Sequence, residues 1–353
     1  MDWSQEFPGL ARTTYLNSCA HGLLPVRTRR AVEAHLQRWT EEPDWDAWGQ
    51  EVERARRAFA RLIHAAPDEV AVHANASGGI AAVMGAFQPG ARREVLTLDL
   101  DFPAAPALAE RQRERGMAHR HVRVPGGRIL ADEWRRHLSP ETALACVPAV
   151  ASFNGYRLDL PAFVRAAHDA GAPVLVDAFQ ALGTFDINVK EIDIDFLVSG
   201  VYKWLLGPPG IAFLYVKREH HGRVPLTASW QAAAEPYAFD PLGPLAPDAR
   251  RYQSGGASVA GAVGAAASLD LIHEVGLSAI ERRNARLVAR IQEEAEARKL
   301  EVLTPPERAS IVTFRVPDLA RALAACAREK VVVNPRLGGI RVSPHFYNGE
   351  RDV

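Results

Sequence analysis

Apolar and polar positions follow two different rhythms along this chain, and the switches between them outline its elements. Over residues 26–42 and 47–64 apolar residues recur every three or four positions among arginines and glutamates, the pattern of amphipathic helices. Short apolar runs follow at 69–73, 94–98, 118–124, 142–150, 174–177 and 196–198, and they read as buried strands. Helical spacing returns after the first run, again up to Gly116, over 129–138, and over 161–170, where Pro161 opens the first turn and Gly171 closes the last. This alternation predicts βαβ units and a mostly parallel sheet. Residues 232–250, rich in Pro and Ala, show little periodicity and read as a long crossing segment. Beyond them come helices at 257–272 and 277–299. The order is then strand, strand, helix, strand, strand at 301–303, 310–316, 319–329, 331–333 and 339–343. The expected fold is α/β: an N-terminal arm (1–25), a large domain (26–245) whose sheet is flanked by helices, and a smaller C-terminal α+β domain (246–353).

Composition narrows the class. The 353 residues are 48% hydrophobic and 24% charged with a formal net charge of zero, as in an ordinary globular protein, and nothing electrostatic points to nucleic acid or a membrane surface. Cys19, Cys146 and Cys326 are odd in number and far apart, without a CxxC pair or histidine ligands. They read as reduced, buried thiols of a cytoplasmic protein, and no metal site is expected. The first residues lack a signal-peptide pattern, and the Ala-rich 257–272 stretch, which contains Asp270, reads as a closely packed helix and not as a membrane span.

Candidate chemistry lies in residues 173–216. Val174-Leu175-Val176-Asp177 delivers a carboxylate to the carboxyl edge of the predicted sheet, where ligands of open α/β sheets sit. A second run, 196–198, leads into Ser199-Gly200-Val201-Tyr202-Lys203-Trp204 ahead of the Gly207-Pro208-Pro209-Gly210 turn. A lysine held among aromatic residues is partly desolvated and easier to deprotonate. Lys203 and Asp177 together suggest pyridoxal phosphate chemistry: an amine that forms a Schiff base, and a carboxylate that keeps the pyridine nitrogen protonated. Taken singly, Asp177 reads as a cap or loop acid and Lys203 as a solvated loop lysine.

The strings DAFQALG (177–183) and DFLVSGVYKWLLGPPG (195–210) resemble the class V group of fold-type I pyridoxal phosphate enzymes, which includes aminotransferases, cysteine desulfurases, kynureninases and isopenicillin N epimerase-like proteins. The resemblance extends over nearly the whole chain. It implies that Lys203 is the Schiff-base lysine, Asp177 the partner of the pyridinium nitrogen, and Gln180 a neighbour of the phenolic oxygen. It also implies that Ser77, Gly78 and Gly79 cradle the phosphate and that Phe102 stacks on the ring, although Phe102 by itself reads equally as core. Ser152 and Asn154 stand where polar contacts to cofactor or substrate arise, with an Asn-Gly turn as the plain alternative. Arg341 matches the residue that holds the substrate α-carboxylate, with a structural salt bridge as its plain alternative, and the arm segment with Asn17 and His21 approaches the same pocket, His21 by itself reading as a polar turn residue. Residues 251–258, with Gly255 and Gly256, resemble the segment by which one subunit reaches its partner's phosphate, so a homodimer with shared sites is implied.

The chain departs from that pattern in places. Gly200 and Tyr202 replace the usual serine and histidine before the lysine, with Ser199 displaced by one; Tyr202 occurs in the kynureninase and epimerase-like branches. Gly256 replaces a threonine. Relatives usually continue past the position of Val353 into another helix, so the small domain is expected to be truncated. A desulfurase needs a thiol on the loop before Arg341. Residues 331–339 contain none and Cys326 reads as an inert buried thiol, so this reading excludes a desulfurase. The expected activity is amino-group transfer between an amino acid and a keto acid, the alternatives being a lyase or epimerase on the same site or a silent cofactor-binding protein. The absence of G-x-G-x-x-G and P-loop motifs argues against a nucleotide-binding protein.

Overall fold

The computed structural model describes Trp3 and residues 5–353. Its arm carries β1 (Thr14–Tyr15) and leads into helices α1 (Val26–Glu41) and α2 (Trp45–Leu62). Asp44 caps α2 by accepting from the amides of Asp46 and Ala47, so this helix starts two residues before the apolar spacing does. Next come β2 (Val70–His73), α3 (Ala76–Gly85), β3 (Glu94–Leu98), α4 (Ala104–Gln112), β4 (Ala118–Val122), α5 (Ala131–Arg135), β5 (Thr142–Pro148), α6 (Leu160–Asp169), β6 (Val174–Asp177), α7 (Val189–Ile192), β7 (Phe196–Gly200) and β8 (Ala212–Val216).

Strands β2 to β8 form one seven-stranded sheet in the order β2-β8-β7-β6-β5-β3-β4, parallel except for β8, which is antiparallel to both neighbours. Strands β2, β3, β5, β7 and β8 are buried at every residue, because a sheet covered by helices on both faces has no wet side. The strand order reverses between β3 and β5. Loops after those two strands diverge there and open a crevice at the carboxyl edge.

The C-terminal part comprises α8 (Val259–Val275), α9 (Leu277–Ala297), β9 (Val312–Arg315), α10 (Leu319–Arg328), β10 (Val331–Val332), β11 (Asn334–Arg336) and β12 (Gly339–Val342). Helix α8, capped by Ser258, packs against α1 and α2 and is largely buried, and no single helix among the described residues is long and apolar enough to cross a membrane. Three strands form an antiparallel sheet, β11-β12-β9. Two expectations fail here. Residues 301–303 form no strand, only an isolated bridge from Val302 to Phe314. The 331–333 run leaves this sheet and pairs in parallel with β1, tying the arm to the C-terminal part. In its place β11 was missed, because Pro335 discourages a strand reading; β11 is an edge strand, where a missing N–H costs no ladder bond.

The arm closes over the start of the Lys203 loop. Gly22 donates its amide to Tyr202 O at 2.8 Å, and a Cβ on Gly22 would stand 2.1 Å from Lys203 O, so only glycine permits this approach. The segment 232–250 carries short 3-10 turns and one bridge, Ala233 to Leu245.

Candidate active site

Strands β5, β6 and β7 end side by side, which sets Pro148 beside Asp177 and Asp177 beside Val198. Asp177 lines a cavity at this edge and its Oδ1 accepts from the Phe179 amide at 2.9 Å. Burial pushes its carboxyl up from the usual range, while that amide and the Lys203 charge pull it back. Lys203, three residues beyond β7, is 8% exposed and lines the same cavity. Burial pushes its ammonium below the ordinary lysine value, opposed by Asp177 and Cys19. It makes no ion pair among the described residues. Its Nζ lies 4.1 Å from the centroid of Phe179 and 5.5 Å from that of Phe102, so aromatic faces take the place of a carboxylate.

A helix N-terminus closes the opposite wall. Ala74, Asn75, Ala76 and Ser77 line the cavity, and Asn75 caps α3 by accepting from the Gly78 amide at 2.9 Å. The amides of Ala76 and Ser77 have no protein partner among the described residues. Free amides at the positive end of a helix dipole fit a phosphate. Gly78 and Gly79 stand behind this wall. The first spends its amide on the cap, and the second lies so close to Val198 and Leu214 that a Cβ would meet Val198 Cγ2 at 2.9 Å. His73, at the end of β2 beside them, is buried without a partner for Nε2 and pushed down to about 4 by burial, so it is neutral.

The other expected residues divide into those the fold gathers and those it leaves outside. Gln180 lines the cavity and is fixed from both ends: Nε2 donates to Cys19 O at 2.9 Å and Oε1 accepts from Trp204 Nε1 at 2.8 Å, which leaves one Nε2 hydrogen free. Phe102, Ser152 and Tyr202 also line it. Arg341, on β12, is 2% exposed; Nη1 donates to Ser152 O and Nε has no partner. Asn17 bridges to Ser343, next in strand to Arg341's neighbour Val342, and its Oδ1 is likewise buried without a partner. His21 stacks on Tyr202 at 5.4 Å, outside the cavity wall. Asn154 is buried away from the cavity. It donates to Gly127 O and accepts from the Tyr156 amide, so the plain turn reading fits it and the ligand-contact reading does not. Gly255 and Gly256 lie in open surroundings, with only the Trp230 ring 4.0 Å from a Cβ on Gly256.

Three contributors escaped sequence reasoning. Phe179 follows Asp177 by two residues, and its ring sits where a Cβ on Gly200 would fall, 2.4 Å from Phe179 Cζ. The Phe179 ring thus fills the space that a side chain at position 200 would need, and Ser199 turns away to bond Gly200 O. Trp204 was visible beside Lys203, but its hydrogen bond to Gln180 was not. The third is Cys19, 1% exposed, whose carbonyl holds Gln180 and whose thiol is pushed up by burial, with the Arg341 charge and a hydrogen bond to Ser343 opposing. Cys326 is half-buried, not the buried thiol expected.

Comparison with known proteins gives a consistent result. The family model described as Aminotransferase class-V matches residues 30–352. The chain is 30% identical over 99% of its length to the "Uncharacterized aminotransferase YcbU" of Bacillus subtilis (strain 168), of which it covers 94%, and 28% identical over its whole length to a kynureninase of Bacillus mycoides (strain KBAB4), of which it covers 88%. It superposes on the apo cysteine desulfurase of Thermococcus onnurineus NA1 with a TM-score of 0.87 at 21% identity, covering 99% of this chain and 94% of that one. This corrects the exclusion of cysteine desulfurase made from residues 331–339. The chain shares its whole fold with such an enzyme, so the missing thiol at 331–339 does not exclude that class. With the family model spanning Lys203, the Asp177 strand and Arg341, this chain belongs to the class-V aminotransferase family and has the fold-type I architecture of pyridoxal phosphate enzymes.

Proposed function

We propose that this chain transfers the amino group of an amino acid to a keto acid through Lys203, as a homodimer with shared sites. The cofactor of the family is pyridoxal phosphate. The observation that carries the reading is Lys203, buried and unpaired, facing one cavity together with Asp177 and the N-terminus of α3. When bound, the cofactor supplies an aldehyde that takes up amino groups and a ring that withdraws electrons from the adjoining carbon.

The chain's own residues do the rest. The free amides of Ala76 and Ser77 would hold the phosphate, and Asp177 would keep a proton on the ring nitrogen. Gln180, immobilised by Cys19 and Trp204, offers its spare Nε2 hydrogen to the phenolic oxygen. Lys203 Nζ, its ammonium destabilised by burial, carries protons to and from the substrate α-carbon. Arg341, buried with Nε unpartnered and Nη1 on the Ser152 carbonyl of the cavity loop, would hold the α-carboxylate. The open surroundings of Gly255 and Gly256 fit a segment that meets a second subunit.

A second reading, cleavage of a bond at the substrate β-carbon, uses the same residues. It is supported by the fold shared with cysteine desulfurases. The test is the visible spectrum of the protein with added pyridoxal phosphate, before and after a panel of amino acids, beside Lys203→Ala. A lysine-dependent band that one amino acid converts to the pyridoxamine spectrum, with keto acid released, is the expected result. A band that persists while sulfide or another cleavage product accumulates favours the second reading. No lysine-dependent band would sink both.

A further inference from the structure

The small sheet carries two unneutralised guanidinium groups on the face that rests on the loop after β5. In the antiparallel register Arg341 pairs with Asn334 and Thr313, and Arg336 pairs with Gly339. Directly paired side chains project from one face, and residues two apart along a strand share it. Thr313, Asn334, Arg336, Gly339 and Arg341 therefore lie on the same face. That face rests on the loop after β5, where Thr313 Oγ1 donates to Phe153 O at 2.8 Å and Arg341 Nη1 to Ser152 O, and Ser152 lines the cavity.

Arg336 and Arg341 are diagonal neighbours there, about 7–8 Å apart at the backbone, within reach for long side chains. Gly339, opposite Arg336, places no side chain between them. A third arginine of this face, Arg315, is neutralised by Glu301 at 2.8 Å. Arg336 and Arg341 have no carboxylate partner among the described residues, and no acidic residue occupies the strand positions of the face. Arg336 is exposed on the edge strand β11, diagonal to the buried Arg341. Two adjacent like charges repel unless an anion joins them.

We propose that the substrate is an amino acid with a second carboxylate on its side chain, Arg341 holding the α-carboxylate and Arg336 the side-chain one. This rests on the preceding reading of the site, and it names the substrate class. A charge-assisted contact of this kind corresponds to roughly a ten- to hundredfold preference.

The test compares aspartate and glutamate with asparagine and glutamine, which have the same shape without the charge, in cofactor-loaded wild type, Arg336→Ala and Arg315→Gln. The expected result is a kcat/KM about ten- to a hundredfold higher for the acids, lost in Arg336→Ala with little change for the amides, and kept in Arg315→Gln. A second readout needs no turnover: thermal stabilisation by succinate against butyrate, with the succinate advantage lost in Arg336→Ala. Equal handling of acids and amides, or an Arg336→Ala loss shared by both, overturns the inference, as does equal stabilisation by the two acids. A Lys203-dependent band without any dicarboxylate preference removes this inference alone, whereas no band removes the reading beneath it.

Discussion

Gly200→Ser would restore the hydroxyl that relatives carry three residues before the lysine, and it should damage this protein. Gly200 ends β7, and a Cβ there falls 2.4 Å from Phe179 Cζ and 2.9 and 3.0 Å from its two Cε atoms. The ring cannot swing aside freely, because it stands edge-on to Tyr202 at 4.9 Å and 4.1 Å from Lys203 Nζ. Overpacking of this kind costs about 1–3 kcal/mol. Spread over a chain of this length, that is a fall in Tm of roughly 1–4 °C. The decisive assay is a double-mutant cycle on denaturation midpoints. Phe179→Ala empties the space, so Gly200→Ser in that background should cost under about 0.5 kcal/mol, a coupling of about 1–3 kcal/mol. If Gly200→Ser costs the same in both backgrounds, the ring is not what excludes a side chain from position 200, and the steric account of this family departure fails.

Two further predictions concern the scaffold. Asp195 is buried and accepts from His168 Nε2 at 2.7 Å, His220 Nε2 at 2.8 Å and the Val174 amide at 2.8 Å. Burial alone would raise its carboxyl, but these partners hold it well below the usual range, while the Asp195 hydrogen bond raises His168. Asp195→Asn should cost about 3 kcal/mol at pH 6. The Asp195 contribution is present above the unfolded carboxylate pKa of about 4 and lost as pH falls through the depressed folded value; the His168 contribution is full below about 6.5 and lost as pH rises through its raised value. The gap between wild type and variant should therefore narrow both in acid and above neutrality in urea titrations, and a gap independent of pH would refute the network. Asn75→Ala, which removes the α3 cap, should lower stability by about 1 kcal/mol, and Asn75→Ser, which keeps a capping oxygen, should recover most of it; equal losses in the two would show that the cap oxygen is not what matters.

Most of the large sheet and the centre of the site could be read from the chain, because their signals are local. A buried parallel strand is a short apolar run, a βαβ unit alternates two periods, and the stretch from Asp177 to Lys203 is one contiguous motif that starts at the end of β6 and ends just past the adjacent β7. Gln180, Phe102, Ser152 and Tyr202 reach the cavity because they follow strands whose ends the sheet sets side by side. Asn154 misled because an Asn-Gly turn and a ligand contact look alike in sequence, and only the Gly127 and Tyr156 bonds separate them.

The amino-acid sequence by itself determined the α/β class, the positions of the strands that carry Asp177 and lead to Lys203, and the family resemblance, all of which depend on residues near one another along the chain. Only the tertiary structure decided that β10 joins the arm instead of the small sheet, that Phe179 takes the space beside Gly200, and that Arg341 bonds the Ser152 carbonyl at the loop after β5. The first of these joins segments more than three hundred residues apart, Thr14 to Val331. Their partners are chosen by burial, register and space, quantities that do not exist until the chain has folded.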